Sequence, residues 1–159
     1  MIDEKLLKKV TDYLKEKNIT IAIAESCTGG LIAHTLTNIS GSSDYFDRGI
    51  VSYSNKAKTE LLGVPEDVLK KYGAVSKQVA KIMAENIRLK SNVDLGLATT
   101  GIAGPTGGTK KKPVGLVFIA ISNSKNTIIK KYQFKGNRLE NKEHTCNAAL
   151  KMIFDHLKK

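Results

Sequence analysis

Hydrophobic positions change their period several times along the chain, and each change marks an element. Leu6, Leu7, Val10 and Leu14 recur at helical spacing and predict a helix over about residues 3–16. The run Ile19-Thr20-Ile21-Ala22-Ile23-Ala24 is continuous, rich in β-branched residues and too short for a helix, so it reads as a buried strand over 19–24. Helical spacing returns with Leu31, Ile32, Leu36 and Ile39, giving a helix near 28–38 that Gly41-Ser42-Ser43 ends. Gly49-Ile50-Val51-Ser52-Tyr53 fits a second strand, and short helices follow at about 55–62 and 65–72, with Pro65 near the start of the latter. Ser76 opens a longer helix to about Leu89, whose apolar face carries Ile82, Ile87 and neighbouring alanines. A buried strand over Leu95–Thr100 runs into the glycine-rich stretch Gly101–Gly108. The segments Val114–Ile121 and Thr127–Phe134, joined by the polar tip 122–126, predict a hairpin. A last helix over Arg138–Leu157 turns Ala148, Ala149, Met152 and Ile153 inward.

Strands that alternate with helices and then close with one hairpin predict a single three-layer α/β/α domain. Its mixed five-stranded sheet is mostly parallel, with a C-terminal antiparallel hairpin. At 159 residues and 41% hydrophobic content the chain suits one domain with a real core, and no internal repeat or linker interrupts it. Ligands of open α/β sheets gather at the carboxyl ends of parallel strands. Three segments follow such ends, at 26–30, 52–55 and 101–108, and are expected to share one cleft.

Charge adds little to this picture. The net charge of +11 suits an anionic ligand, yet it comes mostly from lysines such as Lys5, Lys8, Lys9, Lys15 and Lys17, which read as a solvated helix face. Nucleic acid is not an expected partner, because the basic residues are spread out and no cluster of stacking aromatics accompanies them. Cys27 and Cys146 lie far apart with no paired spacing, which argues against a disulfide framework or zinc site and for a reducing compartment. No apolar run reaches a membrane span and the N-terminus opens directly into a helical pattern, so a cytoplasmic location without membrane attachment is expected.

The chemistry concentrates in Ala24-Glu25-Ser26-Cys27-Thr28-Gly29-Gly30, where a hydroxyl and a thiol stand beside two glycines between a strand and a helix. Free amides at a helix start favour a phosphate or a developing oxyanion, and glycines let a ligand approach the backbone. The plain structural reading is that Ser26 or Thr28 caps the helix. The second glycine loop satisfies neither the P-loop nor the dinucleotide pattern, which leaves a generic anion or substrate loop, or an ordinary turn. His34, His144 and His156 are scattered, no metal-ligand spacing occurs, and no metal or cofactor is expected. Without a histidine near the cleft loops, a lysine is the simpler base for Ser26, and Lys56 and Lys58 both qualify. Tyr53 is placed to donate a hydrogen bond to that lysine or to a substrate. A Cys27 nucleophile is the nearest chemical rival.

Five motifs in register resemble the C-terminal domain of the CinA, competence/damage-inducible, family: the 24–30 segment, Gly41-Ser42-Ser43, Val51-Ser52-Tyr53-Ser54-Asn55-Lys56-Ala57-Lys58, Gly73-Ala74-Val75-Ser76 and Gly101–Gly108. Essentially the whole chain is covered. Stand-alone members of that family are nicotinamide-nucleotide amidohydrolases, which convert nicotinamide mononucleotide to nicotinate mononucleotide and ammonia in pyridine nucleotide salvage. The resemblance implies a metal-free serine and lysine pair, Ser26 as nucleophile and Lys58 as base, with Tyr53 in support and Lys56 at a variable position. It implies a small-molecule nucleotide substrate held by Cys27, Thr28, Gly29, Gly30, Ser43, Thr100, Gly101, Gly104 and Arg138. Arg138 would take the 5′-phosphate, and the amides of 27–30 or of a turn at Thr99-Thr100-Gly101 would hold the oxyanion. A homodimer is implied as well.

Full-length CinA carries a further N-terminal domain associated with pyrophosphatase activity, for which these 159 residues leave no room, so that activity is expected to be absent. The alternative to the amidase is a non-catalytic nucleotide- or nucleic-acid-binding module of the same fold.

Overall fold

Large and small side chains alternate along the three central strands, and this alternation sets the layers. In a computed structural model covering residues 1–159, the elements run α1 (Glu4–Glu16), β1 (Ile21–Glu25), α2 (Leu31–Thr37), β2 (Phe46–Val51), α3 (Asn55–Leu62) and α4 (Glu66–Tyr72). They continue with α5 (Lys77–Ser91), β3 (Leu95–Gly101), β4 (Leu116–Ser122), β5 (Thr127–Gln133) and α6 (Arg138–Leu157). Ile21 and Ile23 of β1, Leu95 and Leu97 of β3, and Val117, Ile119 and Ile121 of β4 join the core beneath α1, α2 and α6. The residues between them, Ala22, Ala24, Ala98 and Ala120, face α5 and its neighbours α3 and α4. On that small-residue face α5 packs close: a Cβ on Gly96 would stand 2.2 Å from the Ala84 carbonyl oxygen.

The sheet order is β2-β1-β3-β4-β5, with β1 parallel to β2 and β3, and with antiparallel pairs β3–β4 and β4–β5. The three-layer mixed sheet expected from the sequence is therefore the observed one. This topology brings the carboxyl ends of β1, β2 and β3, the start of β4 and the N-terminus of α6 to one end of the molecule. No helix is long and apolar enough to cross a membrane.

Several boundaries shift by a residue or two from the sequence reading, and three differences near the site have a local reason. β2 covers Phe46–Val51 instead of 49–53, because Ser52-Tyr53-Ser54 leaves the sheet to start α3, with the Ser54 hydroxyl accepting from Ala57 N–H at 3.0 Å. α2 begins only at Leu31, because Gly29 and Gly30 take left-handed backbone angles, φ 61° and 100°. Residues 99–101 form no turn; β3 continues through Gly101 with Thr100 paired to Phe118 of β4. Ser43 sits in a 3-10 turn, Ser42–Asp44, ahead of β2, whose first residue pairs with Ile21 at the start of β1. It is thus at the opposite end of the sheet from Ser26, and its expected place among the substrate contacts is not met within this chain.

Candidate active site

The turn leaving β1 is built around Glu25. Its side chain is buried, 1% exposed, beneath the start of α2. One carboxylate oxygen accepts from the N–H of Gly30 at 3.0 Å and Ile32 at 3.1 Å, and the other from Ala33 at 2.8 Å. A carboxylate is well suited to the positive end of a helix and to its orphan amides. Neither Ser26 nor Thr28 caps α2, which corrects the plain structural reading; the Thr28 hydroxyl bonds instead to that of Thr99, at 2.9 Å. The Gly29 amide donates to Ser26 O, so the amides of Gly29 and Gly30 are both committed. Those of Cys27 and Thr28 donate to no other residue, which narrows the expected oxyanion donors to these two.

Lys58 comes from the first turn of α3 and is the largest charged side chain in the interior, 1% exposed. Helical side chains lean toward the N-terminus of their helix, and this lean carries the amine back over the residues that precede α3. Its Nζ lies 2.9 Å from Ser52 O, 3.2 Å from Tyr53 O and 3.0 Å from Ser26 Oγ. Carbonyls only accept, so two N–H bonds are fixed on Ser52 and Tyr53, and the third direction points at a hydroxyl that can donate. In the neutral amine that third direction is the lone pair. Burial pushes the Lys58 pKa below its ordinary 10.5, toward this neutral form. Lys56, two residues earlier and on the other side of α3, is exposed and lies 3.7 Å from Glu60. The fold thus separates the two lysines that the sequence left open.

Tyr53 serves through its main-chain carbonyl; its side chain is 58% exposed and its hydroxyl accepts from Arg138 Nη2 at 2.9 Å. The expected side-chain hydrogen bond from Tyr53 to the lysine is absent. Arg138, the first residue of α6, also donates from Nη1 to Gly104 O at 2.7 Å. One guanidinium therefore clasps the β2–α3 and β3–β4 loops. Buried Asn141 adds a second tie, donating to Ala103 O and accepting from Gly136 N–H, both at 2.9 Å. Gly104 lies in this loop at φ 87°, where a Cβ would stand 2.4 Å from Val114 Cγ1. Thr100 donates to Ala74 O at 2.8 Å, anchoring the 73–76 segment, and a Cβ on Gly101 would stand 2.6 Å from Val117 Cγ2. Both residues therefore have packing duties. Half-buried Lys142, one turn beyond Arg138, reaches the first turn: a Cβ on Gly29 would stand 3.5 Å from its Nζ.

The arrangement is competent for acyl transfer. In such chemistry Ser26 would serve as nucleophile, Lys58 as proton acceptor, and the two free amides as donors to an oxyanion, at about 3–4 kcal/mol for a good donor. Cys27 is ill suited as nucleophile, since burial pushes its thiol up to about 12 from 9.0. The histidines lie elsewhere: His34 beside Asn38, His144 stacked on Phe134, and His156 beside Asn123. Sequence reasoning missed Glu25, Asn141 and Lys142. A signal existed for Glu25, an acidic residue at a strand end before a helix whose N-cap is glycine. None existed for the other two, which meet the site only through the folding back of α6.

Residues 3–157 match the CinA C-terminal domain. A CinA-like protein of Syntrophus aciditrophicus is 54% identical over 156 residues, covering 98% of this chain and 37% of that relative's length. Among solved structures, the competence/damage-inducible protein CihA of Agrobacterium tumefaciens superimposes with a TM-score of 0.95 at 38% identity, covering 100% of this chain and 99% of that one. The competence damage-inducible protein A of Klebsiella pneumoniae gives a TM-score of 0.95 at 28% identity, covering 99% and 98%. The chain belongs to the CinA C-terminal domain family.

Proposed function

We propose that this protein hydrolyses the carboxamide of nicotinamide mononucleotide, yielding nicotinate mononucleotide and ammonia. The observation that carries this reading is the buried lysine whose Nζ is held by two carbonyls and aimed at Ser26 Oγ from 3.0 Å. Motif resemblance to stand-alone amidohydrolases of the family supplies the substrate.

In the first step Ser26 Oγ bonds to the carboxamide carbon while its proton passes to Lys58 Nζ, and the carbonyl oxygen becomes an oxyanion facing the amides of Cys27 and Thr28. The oxyanion then collapses and the C–N bond breaks. The lysine proton moves to the departing nitrogen, which leaves as ammonia and deposits an ester on Ser26. Water, deprotonated by the regenerated amine, attacks the ester, and the returning proton restores the serine hydroxyl as the acid is released. Every proton removed is given back, and no redox partner is required.

The test is direct. Purified protein is incubated with nicotinamide mononucleotide and a chelator, and ammonia and nicotinate mononucleotide are measured. Equimolar products from the wild type, absent with Ser26→Ala and Lys58→Met, are expected. A well-folded wild type that releases neither product would overturn the reading and leave the nucleotide-binding module in its place.

A further inference from the structure

We propose that Lys142 is the specificity residue of this site, pairing with a phosphomonoester at the far end of the amide substrate. The inference rests on the amidase reading and assigns the phosphate contact to a residue other than Arg138.

Most other positive groups around Ser26 are already engaged. The N-terminal amides of α2 are occupied by the Glu25 carboxylate. At α6 a capping box engages the amides of Asn137 and Glu140, and those of Arg138 and Leu139 have no partner in the chain. The amine of Lys58 is enclosed by Ser26, Ser52 and Tyr53. Arg138 directs Nη1 to Gly104 O and Nη2 to the Tyr53 hydroxyl, so two donors of its planar fork already bridge loops.

Among these side-chain cations, Lys142 is the one without a partner. It forms none of the chain's ion pairs and none of its side-chain hydrogen bonds, although half-buried lysines gain most from a partner. Its ammonium is nevertheless brought to the turn that carries Ser26, 3.5 Å from where a Gly29 side chain would begin. Gly29 has φ 61°, so a glycine there both permits the turn and leaves the ground beside the ammonium open. Lys142 is a free donor with three N–H bonds beside the Ser26 turn, where the one carboxylate, Glu25, is buried and already accepts from three amides. A phosphate two bonds beyond a ribose is the chemical class that uses such a point charge, whereas a neutral riboside cannot.

The experiment compares nicotinamide mononucleotide with nicotinamide riboside, using the wild type, Lys142→Met, Lys142→Arg and Arg138→Met. The proposal expects Lys142→Met to lower kcat/KM for the mononucleotide about tenfold or more beyond its effect on the riboside, chiefly through KM, with Lys142→Arg restoring most of the difference. Equal losses on both substrates, no loss on either, or a selective loss confined to Arg138→Met would overturn it. Should the wild type cleave neither substrate, the amidase reading fails separately, and ribose 5-phosphate is titrated instead by NMR. Binding at least about tenfold weaker in Lys142→Met than in the wild type then supports the phosphate assignment. Equal binding, or none to the wild type, overturns it.

Discussion

The two glycine-containing loops that meet at the carboxyl end of the sheet are secured in opposite ways. The 26–30 turn is fixed from within, by a buried carboxylate that binds three amides of the helix that follows. The 101–108 loop is fixed from outside, by Arg138 and Asn141 of α6, a helix more than thirty residues later in the chain. A buried charge with several hydrogen bonds is costly to disturb, whereas an exposed guanidinium contributes modestly. The loop bearing Ser26 is thus held by a buried charge, and the loop beside it by an exposed guanidinium together with the buried amide of Asn141.

The comparison breaks most visibly at the reacting pair. Ser26→Ala and Lys58→Met should each reduce kcat roughly ten-thousandfold, and the double variant should lose little more, because the two act as a unit. An additive double variant, measured by ammonia release, would contradict that unity. The pH profile carries the same point: kcat/KM should rise with pH to an apparent pKa below the ordinary 10.5 of lysine, as Lys58 loses its proton. Stability moves with the same sign. Between the lowered folded value and 10.5 the unfolded chain binds more protons, so stability rises with pH across that window, and the cost of burying the ammonium is fully present below it.

Next in size is the inner support of the first loop. Glu25→Gln replaces an acceptor oxygen with a donor facing amide N–H groups, and should cost about 2–4 kcal/mol of stability and lower Tm by roughly 5–15 °C. Arg138→Met, which releases only the outer clasp, should cost about 1 kcal/mol or less in the same thermal melt. Equal losses from the two would erase the contrast. Tyr53→Phe should lower kcat/KM roughly three- to tenfold and Arg138→Met, which also frees Gly104 O, by at least as much; the double variant should resemble Arg138→Met, since the Tyr53 bond is already lost in it. The smallest effect is expected at Cys27: with its thiol held near 12, Cys27→Ser should keep most of the amidase activity. Its inactivation would return the thiol to consideration.

Sequence pattern anticipated this molecule best where structure is local. The Ile-Ala alternation of 21–24 marks a buried strand and the glycines after it a turn, and both are present. β2 was displaced because it is an edge strand with few buried positions, so its polar start, Phe46-Asp47-Arg48, carries no strand period. Lys56 and Lys58 could not be separated by spacing to Ser26. The choice depends on which side of α3 faces inward, and that is set by packing with α5 and the strands. Glu25 was passed over because an acidic residue beside Ser26 resembles surface charge until the helix it caps is located. Arg138, Asn141 and Lys142 meet the site only because α6 returns to the carboxyl ends of the parallel strands. That is a long-range fact without a local signature.

The account turns on whether Lys58 is an amine poised to take the Ser26 proton. The most direct measurement is an NMR titration of the Lys58 side chain in the folded protein, with Lys58→Met identifying the signal. The account predicts a midpoint below the ordinary 10.5, in the direction that burial imposes. A midpoint at or above 10.5 would leave Lys58 an ammonium that only donates to Ser26, and would contradict its role as the base.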